Sequence, residues 1–255
     1  MIIVDVESTG VDAKLCSLLS VGAVDFDNPT NQFYIECFAF SGAHIEKEAL
    51  AVNGFRMEEI IDKNQIPKTN DQKDTTTPRL LLGKDGLDFF HTEDGGTPFI
   101  TPLHSQTRVL PLLREIGEIK MTDREVVQAF LEWMKTCAEW TLAGQNPSFD
   151  RDFLQETAHR YHINWPLAHR TIDLHSVAYY QMKKRGIEPP QKNNHSALNL
   201  DRILEYVGLP TRAEKHNALH DAKLEAEAFS RLFQNKGLLS EYATYPIPEL
   251  YDNRA

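Results

Sequence analysis

Residues 1–10 read MIIVDVESTG, and the prediction of the fold starts from this segment. The β-branched run at 2–6 predicts a strand, and the Ser-Thr-Gly sequence at 8–10 predicts a turn directly after it. Residues two apart on a strand point to the same face, so the carboxylates of Asp5 and Glu7 project together at its end. Two like charges so close repel unless a cation lies between them, and Mg²⁺ and Mn²⁺ prefer carboxylate oxygens. The pair therefore indicates either a metal site or a solvated strand end, because Asp-x-Glu is common by chance.

The rest of the chain continues this strand into an α/β pattern. Runs at 18–26 and 32–39 predict two further strands, separated by the turn residues Asp27-Asn28-Pro29. The later predicted elements are a helix at 46–53 ending at Gly54, a helix that starts with a capping box of Thr122 and Glu125, a strand at 139–143 running into Gly144, and helices at 150–161, 197–207 and 217–233. Because strands come early and helices alternate with strands later, we expect a mixed sheet in one α/β domain spanning 1–255.

Two segments stand apart from this pattern. Residues 63–110 include the stretch PKTNDQKDTTTP at 67–78, which contains no apolar residue, and the apolar content of the whole segment is too small for a core of its own. We interpret 63–110 as an insertion within the domain, containing a small hairpin, not as a second domain. The end of the chain, about 241–255, contains prolines and is interpreted as an extended C-terminal tail.

Composition limits the classes of function. The 255 residues include 37 acidic and 27 basic ones, for a net charge of −10, which argues against holding nucleic acid by a broad basic surface. It does not exclude a nucleic-acid enzyme whose positive charge comes from bound metal. The cysteines Cys16, Cys37 and Cys137 fit neither a disulfide framework nor a zinc spacing. With no basic apolar leader and no apolar run of membrane length, we expect a cytoplasmic protein without a membrane partner.

Further acidic residues occur at the starts of helices. Asp150 follows a buried strand and a Gly-containing turn in LAGQNPSFDRDFL, which places it at the mouth of the sheet, although an Asp there also serves as a helix cap. Asp221 lies in the first turns of the last long helix, and His216 precedes it by five residues. His220 is a competing histidine of less suitable spacing.

Three short motifs, in this order, resemble the exonuclease motifs of the DEDDh family, which includes proofreading 3′→5′ exonucleases, oligoribonuclease and ribonuclease T. The motifs are Asp5-x-Glu7, Asn146-x-x-Phe149-Asp150, and His216 with Asp221. Similarity extends to Gly22-Ala-Val, Asn53-Gly54-Phe55 and His195-Ser-Ala-Leu, whereas Gln145 stands where the family often has histidine. The resemblance implies a ribonuclease-H-like fold with a mixed five-stranded sheet flanked by helices.

The resemblance also implies a reaction. Two Mg²⁺ or Mn²⁺ ions would serve a 3′→5′ exonuclease that releases 5′-mononucleotides from single-stranded or frayed 3′ ends. The ligands would be Asp5, Glu7, Asp150 and Asp221. His216 would take the proton from the attacking water, a task suited to a group that titrates near neutral pH, and Glu7 would share the catalytic role with it.

Substrate contacts are assigned around this centre. By resemblance, the backbone of the turn Ser8, Thr9 and Gly10 would hold the 3′-hydroxyl of the terminal nucleotide. Phe55 and Phe149 can stack on bases, although Phe149 suits a packing role equally well, and Asn146 joins them as a substrate-binding residue. The densest basic cluster, Lys183-Lys184-Arg185, is assigned to a loop and interpreted as a solvated face more readily than as a phosphate contact.

Two other classes of function remain open at this stage. The domain can be an inactive nuclease-like scaffold, although every acidic motif position and the histidine are present. A glycosidase-like carboxylate pair leaves Asp150, Asp221 and His216 without a role. The sequence does not choose between DNA and RNA 3′ ends as the partner, and a homodimer, common among similar enzymes, is left open.

Overall fold

The computed structural model describes residues 1–62, 120–212 and 215–249. By its internal contacts the chain divides into one unit of Met1–Gln65 with Lys120–Ala255 and another of Ile66–Ile119. All described elements belong to the first unit. The predicted insertion at 63–110 and residues 250–255 of the predicted tail lie outside the described residues, so both remain predictions.

A mixed sheet forms the centre of the described unit. Its strands are β1 (Ile2–Ser8), β2 (Leu18–Asp25), β3 (Gln32–Phe38), β4 (Met121–Thr122), β5 (Leu142–Gly144) and β6 (Thr171–Asp173). The spatial order is β4-β3-β2-β1-β5-β6, with β2 antiparallel to both β1 and β3 and the other neighbours parallel. The predicted mixed α/β sheet is confirmed, but it has six strands and not five, because the two-residue β4 adds an edge beside β3.

Helices cover both faces of the sheet. They are α1 (Lys47–Asn53), α2 (Met57–Ile60), α3 (Asp123–Met134), α4 (Pro147–Arg160), α5 (Leu174–Lys184), α6 (Leu200–Tyr206) and α7 (Ala218–Gln234). A separate hairpin pairs β7 (Gln191–Lys192) with β8 (His195–Ser196), and a short 3₁₀ helix spans Ser240–Tyr242. No described helix is long and apolar enough to cross a membrane.

Most predicted elements are confirmed with shifted ends. The strand predicted at 139–143 begins at Leu142, because Trp140 faces solvent and the pairing of β5 with β1 starts at Ile2 opposite Leu142. The helix predicted at 150–161 begins at Pro147, whose fixed φ suits a first helical turn.

One further helix prediction needs correction, and one helix was not predicted. The helix predicted at 197–207 begins at Leu200, because the Asn199 side chain caps it by accepting the Arg202 N–H. The helix α5 was not predicted, and it contains the basic pair that the sequence assigned to a loop. Lys183 and Lys184 form its last turn, where Lys183 pairs with the exposed Glu188.

Strand β1 divides the core into two layers. Ile2 and Val4 pack toward α3 and α4, whereas Ile3 packs toward α5, α6 and α7. Because side chains alternate along a strand, Asp5 and Glu7 continue the row of Ile3 and face α7. The apolar row thus ends in two carboxylates at the carboxyl end of β1.

Gly22 lets α7 approach this row. It lies opposite Asp5 in the β1–β2 register, and a Cβ at this position would lie 2.2 Å from the backbone carbonyl carbon of Ala218 and 2.2 Å from the backbone nitrogen of Leu219. Only glycine accepts such a close backbone approach. The first turn of α7, which carries Asp221, is therefore held directly over the end of β1.

The far end of α7 holds the C-terminal segment through a buried ion pair. Arg231 is 1% exposed and donates to Glu227, which is fully buried, at 2.8 Å. Arg231 also donates to five backbone carbonyls, those of Val207, Gly208, Tyr242, Tyr245 and Pro246. Glu227 accepts the N–H groups of Leu238 and Leu239. The described part of the predicted tail is thus docked on the domain.

Arg231→Met is expected to destabilise the protein by about 3–5 kcal/mol, because it leaves Glu227 buried without its counter-charge. Urea unfolding followed by circular dichroism measures the free energy of unfolding. Arg202→Met is the matched control, because Arg202 forms an exposed i,i+3 pair with Glu205 and such pairs contribute little. Equal stabilities of the two variants would contradict the prediction.

Candidate active site

Three predicted site residues converge at the end of β1. Ligand atoms of Glu7, His216 and Asp221 all lie within 4.8 Å of one another, and His216 Nδ1 is 3.9 Å from Asp221 Oδ2. Glu7 is 7% exposed and Asp221 2%, so both carboxylates are buried. The structure therefore joins the first and third motifs, which lie more than 200 residues apart in sequence.

Asp150, from the second motif, is attached to the same strand. Strand β5 ends at Gly144 and leaves the Val6 N–H without a strand partner; Asp150 Oδ1 accepts this N–H at 2.9 Å. Asp150 is not the helix cap, because that position is held by Asn146 and Asp150 lies in the first turn of α4. Asp150 is 4% exposed, so its carboxylate is buried beside β1.

The charges of this cluster act on one another. Burial of the carboxyl, followed by the charges of Asp150 and Glu225, raises the pKa of Asp5 well above its ordinary value. Burial and then Asp221 raise the pKa of Glu7 to about 8, and burial raises that of Asp150 to about 8. Asp5 and Asp150 lie outside the tight group around His216 but belong to the same electrostatic cluster.

Two residues of the cluster were missed by the sequence analysis. Glu225 lies on α7 one turn after Asp221, and it is 1% exposed. Arg212 is fixed by Asp201, with Nε 3.0 Å from Oδ1 and Nη2 3.2 Å from Oδ2. Helical spacing from Asp221 was the available signal for Glu225, but Arg212 belongs to no motif and had none.

Arg212 sets the environment of His216. Its Nη1 lies 3.4 Å from His216 Nδ1 and 3.5 Å from Asp221 Oδ2. Burial, and then the positive charge of Arg212, lower the pKa of His216, while Asp221 opposes them. A neutral imidazole keeps one nitrogen lone pair, which is the form able to accept a proton.

The turn predicted to hold a 3′-hydroxyl is buried and tightly bonded. Ser8 Oγ donates to the Gly10 carbonyl at 2.6 Å. The Thr9 N–H donates to the Ser17 carbonyl at 2.9 Å, and Thr9 Oγ1 accepts the Ser17 N–H at 2.8 Å. Asn53 Nδ2 donates to the Ser8 carbonyl at 2.9 Å. The Thr9 N–H is therefore already used within the protein, and a substrate contact at this turn has to involve other groups.

Phe55 and Phe149, which were predicted to stack on bases, both pack against other side chains of the protein. Phe149 lies 4.9 Å from Phe153 between ring centroids and joins the α3–α4 core, which favours its packing role. Phe55 packs beside a small cluster around Leu19, with Lys120 4.7 Å over its ring.

Asn146 is exposed, in a left-handed conformation with φ 60°, and lines a groove of about 530 Å³. The other groove residues are Gln145, Asp173, His175, Ser196, Ala197, Leu198 and Asn199. The groove borders the cluster, because the Gln145 backbone N–H donates to the Glu225 carboxylate.

The donor set of the cluster fits a hard cation. Glu7 Oε1, Asp221 Oδ1 and Glu225 Oε2 are buried oxygens that find no hydrogen-bond partner among the described residues. Buried carboxylates without partners are costly, and Mg²⁺ and Mn²⁺ prefer such oxygen ligands. The unpartnered oxygens of Glu7, Asp221 and Glu225 thus have the chemistry that a divalent cation requires.

Without divalent cations, the thermal stability of the protein is expected to fall as pH rises from about 5 to about 9. The unfolded carboxyls titrate near pH 4, whereas those of Glu7 and Asp150 do so at about 8 in the folded protein. Over this pH window the folded state binds more protons than the unfolded state, so the free energy of unfolding decreases as these protons dissociate. The lowered pKa of His216 makes stability rise with pH, but this is the effect of one group against that of several carboxylates. Melting curves in EDTA measure this, and a melting temperature that rises over the window would contradict it.

Comparison with known proteins agrees with the geometry. Residues 107–229 match the model of the RNase T exonuclease family, a stretch that contains Asp150, His216 and Asp221. No curated protein matches the sequence.

Solved nuclease structures share the fold at low sequence identity. The nuclease domain of 3′hExo, a DEDDh family member bound to rAMP, is 13% identical with a TM-score of 0.54, and the match covers 93% of each chain. Cell-death related nuclease 4 (CRN-4) is 15% identical with a TM-score of 0.54 over 92% of this chain and 64% of that one. E. coli exonuclease I in complex with a dA16 oligonucleotide is 14% identical with a TM-score of 0.55 over 92% of this chain and 40% of its own. This chain therefore spans under two thirds of the latter two proteins.

The motif residues, the match of residues 107–229 to the RNase T exonuclease model and the fold shared with solved nucleases therefore agree with one another.

Proposed function

We propose that this protein is an exonuclease that acts at the 3′ end of a nucleic acid and releases 5′-mononucleotides with the help of divalent cations held by Asp5, Glu7, Asp150 and Asp221. The observation that carries the proposal is the convergence of Glu7, His216 and Asp221 within 4.8 Å at the end of β1. The DEDDh exonucleases generally use divalent cations, and two Mg²⁺ or Mn²⁺ ions fit the number of carboxylates. When bound, such ions stabilise the charge that develops on the attacking and leaving oxygens of the phosphodiester.

The protein side chains supply the proton transfer and the positioning. His216, kept neutral by its surroundings, accepts a proton from the attacking water. Asp150 is fixed by the Val6 N–H and therefore keeps its carboxylate directed beside β1. Arg212, held by Asp201, carries the one described guanidinium in contact with both His216 and Asp221, where it can also meet a phosphate oxygen.

The polar groove beside the cluster is the proposed path of the strand that leads to the cleaved bond. Its amide, hydroxyl and imidazole groups, from Asn146, Ser196 and His175 among others, suit sugar and base contacts. Of the similar structures, exonuclease I is in complex with DNA and the 3′hExo domain with rAMP. DNA and RNA ends are therefore both retained as substrates.

End-labelled oligonucleotides test the proposal. A single strand labelled at its 3′ end should release labelled mononucleotide at once, whereas the same strand labelled at its 5′ end should give a ladder of shortening products. Activity should require Mg²⁺ or Mn²⁺ and disappear in EDTA. Release of 5′-terminal label first, or equal activity in EDTA, would refute the proposal.

Parallel reactions identify the substrate. DNA and RNA oligomers of the same sequence, with free and with paired 3′ ends, should differ in kcat/KM, and free ends should be degraded faster. The net charge of −10 predicts weak binding to duplex away from the end, because the 27 Lys and Arg residues that could neutralise phosphates are outnumbered by 37 acidic residues.

A further inference from the structure

Glu225 shares the face of α7 that carries Asp221. Residues four apart on a helix lie one above the other, so Asp221 and Glu225 both point toward the end of β1. Both side chains are almost wholly buried, at 2% and 1% exposed. Glu225 thus extends the carboxylate row of α7 deeper into the domain.

The end of β5 is shaped around this carboxylate. A Cβ at Gly144 would lie 2.9 Å from Glu225 Oε2, so the absence of a side chain leaves room for it. The backbone N–H of Gln145 donates to the Glu225 carboxylate. These contacts hold Glu225 between β5 and α7, on the side of the site where Asp150 enters from α4.

A comparison within the same helix shows what Glu225 lacks. Glu227, two residues further on, is equally buried but has Arg231 and two backbone N–H groups as partners. Glu225 Oε2 has no hydrogen-bond partner in the part of the chain that the structure describes. Arg212 is already engaged with Asp201 and Asp221. Among the described residues no cation forms an ion pair with Glu225, so its unpartnered oxygen is one that a bound cation would neutralise.

We propose that Glu225 supplies a fifth carboxylate to the cation site, on the side of Asp5 and Asp150, and that it strengthens cation binding there. This inference rests on the proposed function, because it assumes that the cluster binds divalent cations. The electrostatics agree with the placement, since Asp150 and Glu225 are the two carboxylates that most raise the pKa of Asp5. Position 225 belongs to none of the three motifs, so Glu225 would act in addition to the motif residues.

Mn²⁺ binding provides the test, by electron paramagnetic resonance and isothermal titration calorimetry on the whole chain without substrate. Glu225→Gln keeps the shape and removes the charge, and it should weaken the binding of at least one Mn²⁺ by about 10–100-fold. Glu225→Asp keeps the charge on a shorter side chain and should fall between Gln and wild type. Glu205→Gln, at an exposed position on α6, is the control and should bind as wild type.

The outcomes separate this inference from the proposed function. Wild-type Mn²⁺ affinity and stoichiometry in a folded Glu225→Gln variant would overturn the inference alone, and would show that Glu225 only fills space. If that variant does not fold, Glu225→Asp decides, because full wild-type affinity despite its shorter reach would also overturn the inference. Absence of Mn²⁺ binding by the wild-type protein would overturn the proposed function as well.

Discussion

The Asp221→Asn variant is expected to lose at least about 10³-fold in exonuclease turnover, equivalent to about 4 kcal/mol of activation free energy. Asp221 is 2% exposed, and its Oδ1 has no partner among the described residues, so it is available to a cation. Asparagine has the same shape but no charge, and it is a poorer ligand for Mg²⁺ and Mn²⁺. The variant should therefore fold normally while binding Mn²⁺ more weakly than wild type.

Asp152→Asn provides the matched control for this substitution. Asp152 lies on α4 with its side chain 52% exposed and paired with Arg151, so the same chemical change occurs away from the cluster. Single-turnover cleavage of a labelled oligonucleotide and a Mn²⁺ titration measure the two effects separately. An unchanged Mn²⁺ titration in Asp221→Asn would remove Asp221 from the set of ligands, whatever its activity.

The site residues that could be predicted from the sequence follow from patterns within a single strand or helix. The alternation of β1 placed Asp5 and Glu7 on one face, and the capped start of α7 placed His216 and Asp221 within a few residues of each other. Each of these features depends on a single strand or helix, and such features can be read from spacing. What the sequence did not show is the distance between the two elements, which depends on Gly22 opposite Asp5.

The features that were missed depend on tertiary contacts. Strand β6 has three residues, and its pairing with β5 rather than its own pattern defines it. Glu225 and Glu227 look like ordinary surface residues of an amphipathic helix, yet both are buried because the sheet and the C-terminal segment cover that part of α7. A buried carboxylate is recognisable only once its surroundings are known.

The positions of the buried carboxylates change how the net charge of −10 is interpreted. The four motif carboxylates and Glu225 belong to one electrostatic cluster, where two bound divalent cations would cancel most of the negative charge. Because the 27 basic residues of the chain are outnumbered by 37 acidic ones, we expect affinity for the proposed substrate to come from the site itself and the polar groove beside it. For the proposed activity, we therefore expect substrate affinity to depend on the chain end more than on the length of the nucleic acid.

The His216→Ala variant is expected to cleave about 10²–10⁴-fold more slowly while keeping most of its Mn²⁺ affinity, because general-base catalysis contributes that much and the carboxylates remain. His216 lies beside Glu7 and Asp221, and its lowered pKa favours the neutral form that accepts a proton. His220→Ala is the control: it removes an exposed histidine from the first turn of α7 and should cleave at nearly the wild-type rate. Rates on a 3′-labelled oligonucleotide at saturating Mn²⁺ distinguish the two variants. Wild-type turnover in His216→Ala would show that another group accepts the proton, whereas a loss of both turnover and Mn²⁺ binding would make His216 part of the cation site instead.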